Sequence, residues 1–240
     1  MPLPKLNVIT YTLTLPSNDK EIVYRPFTVE EERILLTAQE SDDSKDILRA
    51  MRQIINNCVQ TEIDVMELPT FDIEYFFLNI RGKSTGEQIE LMLKHDNETN
   101  IKGEHCDHRQ KIGIDIEQIK VHKDPNHRKD YTLDDNISVS MKYPNIEAIS
   151  QANVSNFESF VNLIAASIDK IYDKEETYDS SDHTEKELLE FVYSMNQKQI
   201  SEVQQFFETM PVLKHTVSYT CAKCKAKETI DIQGFQNFFL

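Results

Sequence analysis

Cys221 and Cys224 stand two residues apart in the stretch YTCAKCKAKETIDI. Two thiolates at this spacing can reach one tetrahedral ion, with turn N–H groups donating to the sulfurs. A CxxC at a β-hairpin tip is half of a zinc ribbon, and a full ribbon needs a second knuckle. The stretch IKGEHCDHRQKIGIDI offers one, ending in GIDI as the first ends in TIDI. Aligned backwards from that shared ending, His105 and His108 fall opposite Cys221 and Cys224. A second register uses Cys106 and His108 instead, so three residues compete for two ligand positions. Cys106, His108, Cys221 and Cys224 would give a Cys3His site for a structural Zn2+, with His105 as the competing ligand. The tight C-x-H spacing of Cys106 and His108, and Lys225 where knuckles usually carry glycine, argue with equal weight for a metal-free hairpin. A redox pair would sit at a helix N-terminus near a βαβ unit, not between strands. A catalytic zinc would need an open coordination position and a positioned acid or base.

Other chemistry is sparse. The five glycines form neither GxGxxG nor GxxxxGK[ST], so a phosphate-cradling loop is not expected. GxSxG, HExxH and EF-hand patterns are missing too. Asp72 and Glu74 fall in the first turn of a helix, where the dipole favours acids. His183 adjoins a cap and His215 a strand start, which suits structural roles. Cys58 lies on an apolar helical stripe and reads as a small core residue.

The elements that must position these residues show in the periodicity. LNVITYTLTL and EIVYRPF, joined by PSNDK, predict an N-terminal β-hairpin. Thr28 and Glu31 have capping-box spacing. KDILRAMRQIINNCV places Ile47, Leu48, Met51, Ile54, Ile55, Cys58 and Val59 on one helical face. Pro69-Thr70 opens FDIEYFFLNIRGKS, apolar on so wide a girth that it predicts a central helix packed on more than one side. GEQIELMLKH, KIGIDIEQIKV and YTLDDNISVSMKY alternate as strands, with a polar loop at about residues 95–110 and a turn at KDPNHRKD. Ser155 and Glu158 predict the cap of a helix carrying Phe157, Phe160, Val161, Ile164, Ile168 and Ile171. YDKEETYDSSDHTEKE reads as a solvated connection. Thr184–Glu187 and Asn196–Gln199 cap two further helices, the second ended by Pro211. HTVSYT and ETIDI flank the cysteine pair as a hairpin, and GFQNFFL closes the sequence as a short apolar helix or turn. Strands cluster instead of alternating with helices. The expected class is α+β: an N-terminal β-hairpin and helices over 1–84, a central β region over 85–150, and over 151–240 C-terminal helices with a terminal zinc-ribbon-like β-hairpin.

Composition narrows the function classes. The 240 residues carry a formal net charge of -15, expected to repel nucleic acid and anionic lipid and to suit a basic protein partner. No apolar run reaches the roughly 18 residues of a membrane span. MPLPKLNVITYT lacks a basic segment followed by an apolar one, so no secretory leader is expected. Four cysteines then imply a reducing cytosol.

Several stretches together resemble one family. YRPFTVEEERILLTAQES, FDIEYFFLNIRGKSTGE, IDKIYDKEETYD, FFETMPVLKHTVSYTCAKC and IQGFQNFF are similar to the baseplate hub assembly proteins of T-even-type myoviruses, from about residue 20 onward. The resemblance implies a tailed-bacteriophage protein needed to build the baseplate hub in the host cytoplasm, an assembly factor or hub subunit and not an enzyme. It also implies a central knuckle, often CxxC. Here GEHC puts Gly103 where the first cysteine is expected and Cys106 at the second, so zinc would require His105 or His108. The leading expectation is a non-enzymatic chaperone or adaptor for hub or tape-measure components. A hub subunit retained in the virion is the first alternative, and a metal-dependent hydrolase the second. Phe235, Phe238 and Phe239 are candidate partner contacts, with docking onto the protein's own core as the competing role.

Overall fold

The structure is a computed structural model that describes residues 7–40, 44–94, 106–151 and 156–234. The chain runs through β1 (Tyr11–Thr14), β2 (Glu21–Tyr24), α1 (Val29–Glu40), α2 (Ser44–Cys58), α3 (Thr70–Thr85), β3 (Gln88–Lys94), β4 (Arg109–Asp115) and β5 (Lys120–His122). It continues with β6 (Asp130–Thr132), β7 (Ser138–Met141), α4 (Ile146–Gln151), α5 (Phe157–Ala166), β8 (Ile168–Tyr172) and β9 (Thr177–Asp179). The last elements are α6 (Glu185–Ser194), α7 (Gln197–Thr209), β10 (Val212–Thr220) and β11 (Lys227–Gln233). The strands form small antiparallel sheets, and the class is α+β as expected. Packing groups the residues into two units. One comprises Met1–Val65, Phe71–His122 and Val212–Leu240, the other Met66–Thr70 and Lys123–Pro211.

In the first unit the β1–β2 hairpin sets Leu13 opposite Ile22, both buried. Ile47, Ala50, Met51, Ile54, Ile55 and Cys58 make the buried stripe of α2. Leu48 and Val59, expected on that face, are half-buried. The end of α2 is tied to β2: Arg25 N–H donates to Cys58 O at 2.9 Å and Gln60 N–H to Val23 O at 2.8 Å. α3 is the central helix its girth predicts. Phe76 meets Tyr24 edge-on with centroids 5.4 Å apart, while Leu78 packs with Ile89 and Ile114 of β3–β4 and with Leu213, Val217 and Ile232 of β10–β11. Gly86, at φ +112°, ends α3 in a conformation that side-chain residues rarely adopt, and β3 starts two residues on.

The run KIGIDIEQIKV is not one strand. Ile116–Gln118 form a 3-10 turn, capped by the Asp115 carboxylate accepting Glu117 N–H at 3.0 Å. The chain is redirected there, and β5 pairs with β10 while β4 pairs with β3.

The second unit is a meander, β6-β7-β8-β9, packed with α5, α6 and α7 around Val139, Met141, Ile164, Ile168, Val203 and Phe206. The long helix expected through Ile171 stops at Ala166, where Ser167 Oγ–H donates to Leu163 O at 2.8 Å. Ile168 and Ile171 belong to β8. Ser140 pairs with Lys170 and Met141 with Ile168, so Asp169 is an extra residue in a β-bulge. The bulge returns Ile168 and Ile171 to the same face, which mimics the three-residue spacing of a helix. YDKEETYDSSDHTEKE is likewise structured, with β9 and a 3-10 turn at Ser180–Asp182. The capping boxes at Thr184–Glu187 and Asn196–Gln199 form. α5 is capped by Asn156, which accepts Glu158 N–H; Ser155 lies outside the described residues. The GFQNFFL segment after Gly234, with Phe235, Phe238 and Phe239, lies outside them too.

Candidate metal centre

Both halves of the cysteine site belong to the first unit. Alternation in Thr216-Val217-Ser218-Tyr219-Thr220 makes β10 a strand with Val217 and Tyr219 buried, and Cys221 follows on the same face. The hairpin is held by cross-strand pairs: Thr216 Oγ–H donates to Asp231 at 2.7 Å, Ser218 and Thr229 hydroxyls meet at 3.1 Å, and Lys214 pairs with Asp231 at 2.7 Å. At its tip Cys221 N–H donates to Ala226 O at 2.9 Å and Lys225 N–H to Cys221 O at 3.0 Å. Lys225 has φ +64°, so it adopts the left-handed conformation for which glycine is the usual residue, at a cost of roughly 1–2 kcal/mol.

The other half is Cys106, buried just ahead of β4. Its stretch is clamped to the hairpin tip. Gln110 accepts Ala222 N–H at 2.8 Å and donates to Thr220 O at 3.3 Å, and Asp107 faces Lys223 at 3.8 Å. Gln110 is a positioning residue without a sequence signal, because an isolated glutamine at a strand start matches no motif.

Sγ of Cys106, Cys221 and Cys224 all lie within 4.8 Å of one another. Cys106 and Cys221 are 3.9 Å apart, a non-bonded separation. Sulfurs on a tetrahedral zinc with Zn–S of about 2.3 Å would be about 3.8 Å apart, so the donor set fits such an ion in chemistry and spacing. Half-buried His108 is not part of this cluster, and His105 lies outside the described residues. Cys58 is a separate core thiol, pushed up to about 11 by burial against the opposing influence of Arg25.

The local electrostatics distinguish the thiols. Burial pushes Cys221 up, but N–H groups of Cys224 and Lys223 and the thiols of Cys224 and Cys106 outweigh it, and its pKa is lowered. For Cys224 the N–H of Ala226 favours the thiolate, but burial and the Cys221 and Cys106 thiols outweigh that, and its pKa is raised. The Tyr219 hydroxyl is buried without a hydrogen-bond partner among the described residues, and burial, then Glu228 and the three cysteines, raise its pKa.

A family model described as T4 bacteriophage base plate protein matches residues 8–240. The chain belongs to this baseplate family. Comparison with curated proteins and with solved structures gives no match. The other titratable residues singled out in this baseplate protein have structural surroundings. Asp72 lies in the first turn of α3 as expected; it and Glu74 are buried, and Asp72 accepts Ser17 N–H at 3.1 Å as well as the Ser17 hydroxyl. His183 is exposed, 4.0 Å from the Glu187 carboxylate. Among the described residues, no helix of the baseplate protein is long and apolar enough to cross a membrane.

Proposed function

We propose that this baseplate-family protein is a non-enzymatic chaperone or adaptor for hub or tape-measure components during tail assembly in the host cytoplasm. The observation that carries the reading is the family match over residues 8–240, joined to the stretches of the sequence that resemble hub assembly proteins. The excess of 41 acidic over 26 basic residues supports a basic client, held by charge complementarity.

We propose further that Cys106, Cys221 and Cys224 hold a structural Zn2+, with His108 and His105 competing as the fourth donor. A closed four-coordinate zinc would contribute folding free energy and offer no substrate position. Its role would be to fasten β3–β4 to β10–β11 across a sequence separation of 115 residues.

Deleting the gene tests the assembly role: assembled hubs should be lost and restored by a plasmid copy, whereas unchanged baseplate yield refutes it. Mass spectrometry of purified particles separates a transient helper, absent from them, from a retained hub subunit present in stoichiometric amount.

A further inference from the structure

The geometry points to a docking groove in the second unit for a basic peptide segment bearing one bulky apolar side chain. This names a client-binding site for the assembly-factor reading and rests on it. The groove encloses about 280 Å³. That is just under the small end of the range for sites that enclose whole ligands and suits an anchor side chain. Its floor is Ile137, Ile171 of β8, and Leu188 and Phe191 of α6, each half-buried. Leu188 and Phe191 are three residues apart and share one helix face, so the floor is built on rigid elements.

The rim is acidic and held in place. Asp173 accepts the N–H groups of Glu175 and Glu176 at 2.8 and 2.7 Å and the Tyr178 hydroxyl at 2.9 Å. Glu187 accepts the Thr184 N–H and hydroxyl at 2.8 and 2.7 Å. These donors also lower both pKa values and keep the groups ionised near neutrality. Two of the three nearby lysines are paired elsewhere, Lys170 with Asp179 at 3.5 Å and Lys186 with Glu190 at 3.5 Å, which leaves Lys174 beside Asp173. Over residues 173–187 carboxylates outnumber lysines seven to two. A second copy of this chain would bring the same charge and be repelled. A segment with lysine or arginine beside a leucine or aromatic anchor complements both floor and rim.

The test uses the full-length, isotope-labelled protein and a short end-capped peptide with a central Phe flanked by lysines. NMR titration should shift the signals of Ile137, Ile171, Leu188 and Phe191. A glutamate-flanked peptide and one with Ser in place of Phe should each bind at least about tenfold more weakly. The double variant Asp173→Asn/Glu187→Gln keeps acceptor oxygens for the caps, and should bind the lysine peptide about tenfold more weakly with a flatter salt dependence. Shifts centred elsewhere, equal binding of the lysine and glutamate peptides, no binding, or self-association through the groove would each overturn the proposal. The titration does not read baseplate yield, so its failure is separate from that of the assembly role, which gene deletion decides.

Discussion

Replacing Glu31 with Gln tests whether the first unit depends on one buried charge. Glu31 is only 3% exposed. Arg25 donates to it through both terminal nitrogens, at 2.7 and 3.3 Å, and Thr28 through its N–H and hydroxyl, at 2.8 and 2.7 Å. The Arg25 hydrogen bonds, and behind them those of Thr28, outweigh burial and bring the carboxyl from its usual 4.5 to about 2. At about 1.4 kcal/mol per tenfold change in proton affinity, that difference amounts to about 3 kcal/mol. The folded pKa is depressed, so this stabilisation is present above pH 4.5 and is lost as the pH falls towards about 2. Linkage removes about 2 kcal/mol of it by pH 3. Glu31→Gln should therefore lower the unfolding free energy by about 2–3 kcal/mol at pH 7, and the gap to wild type should narrow by about 2 kcal/mol at pH 3. Urea denaturation of both proteins at these pH values provides the measurement. A gap of the same size at both, or a loss under about 0.5 kcal/mol at neutral pH, would mean that the pair behaves as a solvated surface bridge and that the reasoning is wrong.

Other outcomes can be checked as directly. Protein expressed with zinc should carry one ion per chain by elemental analysis, lost in Cys106→Ser and Cys221→Ser but kept in Cys58→Ser; a wild-type protein without zinc would remove the clip. His127 meets the Tyr143 and Thr209 hydroxyls at 3.0 Å each, and burial, then Lys129, lower its pKa below 6.5. Its contribution should be intact above pH 6.5 and decline as the pH falls through the window beneath, so wild type should lose stability relative to His127→Gln between pH 7.5 and 5, read by thermal melts. Substituting Asp169 with Ala should change stability by less than about 0.5 kcal/mol, whereas Ile168→Ala, which empties a core position that the bulge keeps on the buried face, should cost about 2–5 kcal/mol by urea denaturation.

Much of the local structure was legible in the sequence. Thr184–Glu187 and Asn196–Gln199 read correctly as caps because a capping box joins groups three residues apart. The width of the apolar surface on α3 told of partners on several sides without naming them. Where the reading failed, two structures shared one spacing. Ile168 and Ile171 are three apart, which fits a helical face and also a bulged strand, and pairing with β7 decided between them. The acidic stretch after Tyr172 looked like loop because its strand is short and its carboxylates bond locally to backbone N–H groups.

The candidate site divides along the same line. By itself the sequence determined the β10–β11 hairpin and the pair at its tip, since alternation and a turn are short-range properties. Tertiary structure alone decided which upstream residue joins them. Cys106 sits beside Cys221 and Cys224, His108 lies outside this three-sulfur cluster, and Gln110 supplies the clamp. No local spacing encodes a meeting across 115 residues. It follows from β3–β4 and β10–β11 burying one shared core against Leu78 of α3, which sets the two hairpins side by side and leaves the thiols facing each other.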